Sequence, residues 1–268
     1  SAGDSWATGS RLLGPKLLFT NLSQAETESQ ASYGMYWDSN EGWSTVGNTN
    51  HQSWMWKRHA GMDVVTYTGD EVSGRQIPHS LNKTIEMMWI KNRDSAREWV
   101  VYHKGLNGGT NPQNYHLHLD GTAAESASSS MFNNSAPTST HFTVGNDGDT
   151  NLDGDNIIAM LFSSVDKISA VGSYTGNGSN TGAHVTTGFT PRFLWVRRTD
   201  AAGSWYVVDT LRGLSSSTAN DDTLYFNQDV AQTTGQNWVQ TSNTGFSPVV
   251  NWSAINASGG NYIYYAHA

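Results

Sequence analysis

Along the whole chain, short apolar or alternating runs sit between clusters of Gly, Asn, Asp and Ser, which is how strands and tight turns read. No window holds a sustained helical period with caps. One hairpin states the pattern most fully. Phe193-Leu194-Trp195-Val196 is apolar at every position, Arg197 and Arg198 end it, Asp200 to Ser204 make a polar loop, and Trp205-Tyr206-Val207-Val208 returns. A strand apolar on both faces is covered on both, so Phe193 and Trp195 are expected to enter one core and Leu194 and Val196 another.

The chain writes this hairpin twice. Trp89 and Trp195, Asp94 and Asp200, and Trp99 and Trp205 are all 106 residues apart, while Tyr67 and Tyr174, and Leu117 and Leu224, are 107 apart. The N-terminus fits the trailing part of a third copy. Ser5-Trp6 matches Ser204-Trp205, Leu17 to Asn21 matches Leu224 to Asn227, Gly42-Trp43 matches Gly245-Phe246, and Ser53-Trp54-Met55-Trp56 matches Asn261-Tyr262-Ile263-Tyr264. These matches give about two and a half units: 1–60 as a trailing part, 61–164 and 165–268. The polar stretches Gln24 to Gln30 and Thr122 to Ser130 occupy the same place in their units and read as short helices or loops.

Units of this length exceed a solenoid rung or a propeller blade. The fold class implied is all-β, an antiparallel β-sandwich of jelly-roll or concanavalin-like kind. Either each unit is its own sandwich or successive units interlock. Interlocking is favoured, because a half-unit left alone exposes core strands and their edges.

Composition narrows the function classes. With 11 Trp, 11 Tyr and 8 Phe among 37% hydrophobic residues, the aromatics can fill a core, where they carry the largest burial energy per side chain. Fifteen Lys and Arg against 23 Asp and Glu give a net charge of −8, with no basic stripe, which argues against nucleic-acid partners. Zero cysteines remove disulfides, Cys-type zinc and thiol catalysis. No apolar stretch is long enough for membrane insertion, and the start of the chain lacks both a signal-peptide pattern and an initiator methionine, as in a processed chain or a piece of a longer one. Only 14% of residues are charged, a hydrogen-bonding surface of the kind found on extracellular and virion β-proteins.

Three places carry candidate chemistry. Asp147, Asp149, Asn151, Asp153 and Asp155 alternate through a Gly-bearing loop, the spacing of oxygen ligands that calcium uses, although no Glu closes the loop and the matching loop from Asn251 to Gly260 holds no acid. His116, His118 and Asp120 share one face of a strand at period two and could hold zinc; their counterparts Thr223, Tyr225 and Asn227 could not. Glu86, Asp94 and Glu98 lie nearest the aromatic hairpins and are the acids from which a glycosidase pair would have to come, yet Glu86 answers to Arg192 and Glu98 to Ser204. Sequons stand at Asn21, Asn82, Asn133, Asn177, Asn251 and Asn256.

The run Gly188-Phe-Thr-Pro-Arg-Phe-Leu-Trp-Val-Arg-Arg198, with Ser204-Trp-Tyr-Val-Val-Asp209, Arg212-Gly213 and the closing Asn261-Tyr-Ile-Tyr-Tyr-Ala-His-Ala268, resembles an uncharacterised repeat domain. That domain occurs in virion and tail-fibre-type structural proteins of cyanophages and other aquatic bacteriophages. In the middle copy Thr84-Ile85-Glu86 replaces Thr-Pro-Arg, and His103-Lys104-Gly105 stands in place of Thr210 to Gly213. The resemblance implies a non-enzymatic virion protein, an exterior appendage such as a tail fibre, spike or capsid decoration. Its expected partners are itself, as a homo-oligomer with a trimer favoured, other virion proteins, and a host surface glycan or protein. It transfers no catalytic residue and no cofactor other than the calcium that the loop could hold. Two other classes stay open: a secreted lectin-like carbohydrate-binding module, and a polysaccharide depolymerase.

Overall fold

The computed structural model describes residues 5–29, 34–39, 42–45, 52–217 and 220–268. It is an all-β protein, built of antiparallel strands with a few single-turn helices between them.

The middle unit forms a sheet in the order Ser126–Ala127, Tyr115–His118, Val100–His103, Met87–Asn92, Asn156–Phe162, Met62–Thr68. The C-terminal unit repeats that order with Leu224–Tyr225, Tyr206–Asp209, Phe193–Arg198, Asn261–His267 and Ser169–Thr175. Even the register repeats. Leu117, Val101, Trp89, Met160 and Val64 form one cross-strand row; Leu224, Val207, Trp195, Tyr265 and Val171 form the other. Cross-strand neighbours on one face stand close enough to pack as a unit, so a conserved row length fixes the width of each sheet.

Both faces of each sheet are covered. All ten residues of those rows lie in one central core, joined by Leu18 of the N-terminal part and backed by Trp6, Trp54 and Trp56. The opposite faces build separate cores. In the middle unit Met88, Ile90, Val100 and Leu161 pack with Ile77, Phe142 and Val144, whose strands Arg75–Pro78 and His141–Val144 form a second small sheet. In the C-terminal unit Leu194, Val196, Val208 and Tyr264 pack likewise against Val185, Val239 and Phe246. The middle and C-terminal units are thus each a sandwich, and the two also interlock through their inner faces. Phe193 and Trp195 enter the shared core and Leu194 and Val196 the private one, as the apolar pattern requires.

The joints between units recur as well. The Trp205 indole donates to the His118 carbonyl at 3.1 Å, and that of Trp99 to Phe19 at 2.8 Å. Trp6 closes the circle, donating to the Gln228 carbonyl at 2.9 Å. In each part the same tryptophan's backbone N–H is accepted by a side-chain oxygen just after a strand (Lys16–Phe19, Tyr115–His118 or Leu224–Tyr225): Asn21 at 3.0 Å, Asp120 at 3.0 Å and Asn227 at 3.1 Å. Asp120 is therefore a structural clasp.

Buried cations mark the same joints. The Lys91 ammonium reaches the Ser23 carbonyl at 3.1 Å, and the Arg197 guanidinium reaches the Ala123 carbonyl at 2.6 Å while lying over the Trp205 ring. The stretches from Gln24 and Thr122 are loops that each hold a two-residue strand, Thr27–Glu28 and Ser126–Ala127, and the second enters the short helix Ser129–Phe132 at its end; Gln30 lies outside the described residues. One match shifts by a residue. Trp54 and Trp56 pack on the central core, where Ile263 and Tyr265 lie, whereas Tyr262 and Tyr264 face the outer one. The Trp54 indole is held by Asp209 at 2.8 Å and that of Trp56 by the Tyr265 hydroxyl at 3.0 Å, which docks this segment on the C-terminal unit.

Candidate functional site

The alternating acids between residues 147 and 155 do not gather around a point. Asp147 caps the helix Gly148–Asn151, accepting from the Asp149 N–H and the Ser130 hydroxyl, both at 3.0 Å. Asn151 is fully buried, its amide donating to Asp70 Oδ1 at 3.1 Å and to the carbonyls of Val72 and Gly145 at 3.2 and 2.8 Å. Asp155 accepts from the Asn92 amide at 2.9 Å and the Ser95 hydroxyl at 2.6 Å, and Asp153 is exposed. Period two in sequence would converge on an ion only along an irregular loop. A helical turn intervenes here and sends successive side chains to different sides.

Asn256 repeats the part of Asn151, donating to Asn177 Oδ1 at 3.0 Å and to the carbonyls of Ser179 and Val250 at 2.7 and 3.1 Å. Its amide is wholly engaged and 1% exposed, so this sequon cannot be modified in the folded protein.

The other sequence candidates divide between structure and site. Glu86 accepts from the Lys104 ammonium at 2.7 Å and from the Ser164 N–H at 2.6 Å; burial would raise its carboxyl, but these donors hold it below the usual carboxylate value. Asp94 accepts from the backbone and side-chain amides of Asn156, as its counterpart Asp200 accepts from the Asn261 N–H. Both acids are spent on the fold. The buried Asp63 is likewise saturated: burial pushes it up, but Arg58, Ser80 and Val64 N–H groups outweigh that and lower it. It lies behind Arg58 and Ser80, two residues lining a surface depression of about 340 Å³.

Glu98 is free of such partners, and the sheet brings it to His118. Val100 pairs with His118, and Glu98 precedes Val100 by two residues, so Glu98 and His118 fall on the same outer face as diagonal neighbours. The helix carrying Asp149 lies over the strand Met87–Asn92 on that face and is anchored by the buried Asn151. Among the described residues, Glu98, His118 and Asp149 are the group of His and acids whose ligand atoms converge, all within 4.8 Å of one another.

His118 Nδ1 is 3.6 Å from Glu98 Oε2, too long for a hydrogen bond, and this nitrogen is buried without a hydrogen-bond partner. The His116 ring stands edge-on to that of His118 at 5.0 Å, and burial, helped by His118, lowers His116 to about 4. Burial also raises the Asp149 carboxyl, as does Asp147, against the opposing pull of His118 and Arg97. Arg97 lies beside this cluster, its guanidinium against Gly148.

The predicted trio of His116, His118 and Asp120 therefore contributes one member, and the predicted loop another. Sequence comparison held a usable signal. Glu98, His118 and Asp149 align with Ser204, Tyr225 and Ala254, so all three are chemistry present in one unit only.

The sequence profile of a domain of unknown function, DUF7483, matches residues 14–268, and the chain belongs to that family. No curated protein and no solved structure shows significant similarity to the chain.

Proposed function

We propose that this member of the DUF7483 family is a non-enzymatic structural protein of a bacteriophage virion, an exterior appendage such as a fibre, spike or capsid decoration that serves adhesion to the host surface. The Phe193-Leu-Trp-Val196 and Trp205-Tyr-Val-Val208 motifs, whose tryptophans recur as Trp89 and Trp99, support it by their resemblance to virion repeat domains. The observation that carries the reading is the burial of those same aromatics: Trp99, Trp195 and Trp205 are at most 1% exposed, inside a core that several units share. They act as mortar for a rigid body rather than as a stacking platform for sugars, which leaves recognition to the loops that differ between units. Glu86 and Asp94, occupied by structural donors, lend the depolymerase reading no support. Assembly into a homotrimer, contact with other virion proteins and a virion or extracellular location belong to the same proposal.

Gold-labelled antiserum against the purified chain should decorate the outside of intact virions of the source phage, and the chain should release no reducing ends from host polysaccharide. Label confined to cells or to secreted material would refute the virion role, and release of reducing ends would make the chain a depolymerase. Sedimentation of the purified chain gives the oligomeric state.

A further inference from the structure

We propose that Glu98, His118 and Asp149 bind a divalent metal ion of the zinc class, three protein ligands with one coordination position left open. The three come from separate pieces of the middle unit: the turn before Val100, the end of the strand Tyr115–His118, and the helix Gly148–Asn151. Their ligand atoms lie within 4.8 Å of one another, and no hydrogen bond joins any two of the three side chains.

The distances suit an ion. Zinc bonds to imidazole nitrogen and carboxylate oxygen are about 2.0–2.2 Å, so neighbouring ligand atoms of a tetrahedron stand roughly 3.3–3.6 Å apart. His118 Nδ1 and Glu98 Oε2, at 3.6 Å, already have that edge. The Glu98 side chain is 56% exposed and can close the remaining gap by rotation. His118 Nδ1 is buried with no partner, and a buried nitrogen left unsatisfied is costly unless something occupies it. The His116 ring packs edge-on against it at 5.0 Å.

The donor set chooses the metal class. One imidazole with two carboxylates suits zinc, cobalt or nickel, whereas calcium takes six to eight oxygens and does not use nitrogen. Exposure of Glu98 leaves room for water or an outside ligand in the fourth position. The bound ion would staple the hairpin turn and the strand Tyr115–His118 to the helix. The C-terminal unit, with Ser204, Tyr225 and Ala254 in these places, makes the corresponding joint without metal. The inference is independent of the virion assignment, since it concerns only what the outer face of one sheet can hold.

The test titrates the chelator-stripped full chain with zinc, and with cobalt as a spectroscopic probe. One equivalent of zinc should bind and raise the thermal midpoint, and cobalt should give the intense visible bands of a four-coordinate N/O site. Glu98→Gln, His118→Gln and Asp149→Asn should each weaken binding at least about tenfold. His184→Gln, outside the cluster, should not. Glu98→Gln replaces an exposed side chain, so its metal-free stability should match the parent, which separates lost binding from lost folding. No saturable zinc binding, undiminished binding in Glu98→Gln, or calcium bound in preference to zinc would each overturn the proposal.

Discussion

The middle and C-terminal units share strand order, register, joints and the buried asparagine that pins the last loop, yet at three positions on one outer face only the middle unit carries a histidine or a carboxylate. Asn151 and Asn256 make the same three donations, although the partner that begins each network is Asp70 in one unit and Asn177 in the other. The network needs only a side-chain oxygen at that place, so the charge is free to vary. Glu98, His118 and Asp149 against Ser204, Tyr225 and Ala254 differ in kind, because only the first set brings an imidazole and two carboxylates together. What the units hold in common builds the scaffold; what one has alone is where specific chemistry should be sought.

The comparison can be broken first at the tryptophans. Trp99→Ala and Trp205→Ala should each destabilise by about 3–5 kcal/mol in a denaturant titration, since each removes a fully buried indole and its bond across a joint. A large difference between them would show that the two joints are not equivalent. Next come Asn151→Ala and Asn256→Ala. Each removes the donor to two backbone carbonyls, Val72 and Gly145 in one unit and Ser179 and Val250 in the other, and should cost about 1–3 kcal/mol by the same measurement.

The buried cations sharpen the comparison by pH. Burial lowers Lys91 from 10.5 to about 8, and Arg197 only to about 10. Between pH 8 and 10 the unfolded chain binds the lysine proton and the folded chain sheds it, so this residue's contribution to stability rises with pH. The whole shift is worth about 3 kcal/mol. Lys91→Met should remove that rise, seen as the difference between variant and parent, while Arg197→Met should leave it in place. The smallest effect is expected at Glu98: with metal chelated, Glu98→Gln should change stability by less than about 0.5 kcal/mol, as befits an exposed side chain without a structural partner.

Much of the fold was legible because burial imposes period and repeats expose it. The run Phe193 to Val196 could be assigned to two cores from its pattern, and the tandem offsets put Trp89 and Trp195 in equivalent rows. The match of Trp54 with Tyr262 slipped by one, because a short aromatic run aligns equally well in either register and only the direction of the side chains decides it. The site was less legible. Period two suggested ligand sets within single segments, at His116 to Asp120 and Asp147 to Asp155, whereas the convergence that forms joins residues from three segments. Asp120 and Asn151 looked like ligands by type but are held by Trp99 and by the turn at Asp70 to Val72.

The sequence by itself determined the strand class, the two-sided covering of the hairpin arms and the correspondence between units, because each follows from local alternation or from one stretch compared with another. Only the tertiary structure decided that the inner faces fuse into one core clasped by Trp6, Trp99 and Trp205, and that Glu98, His118 and Asp149 meet. Those outcomes depend on pairing register and on where one helical turn lands over a sheet, and long-range geometry of that kind leaves no periodic trace in the chain.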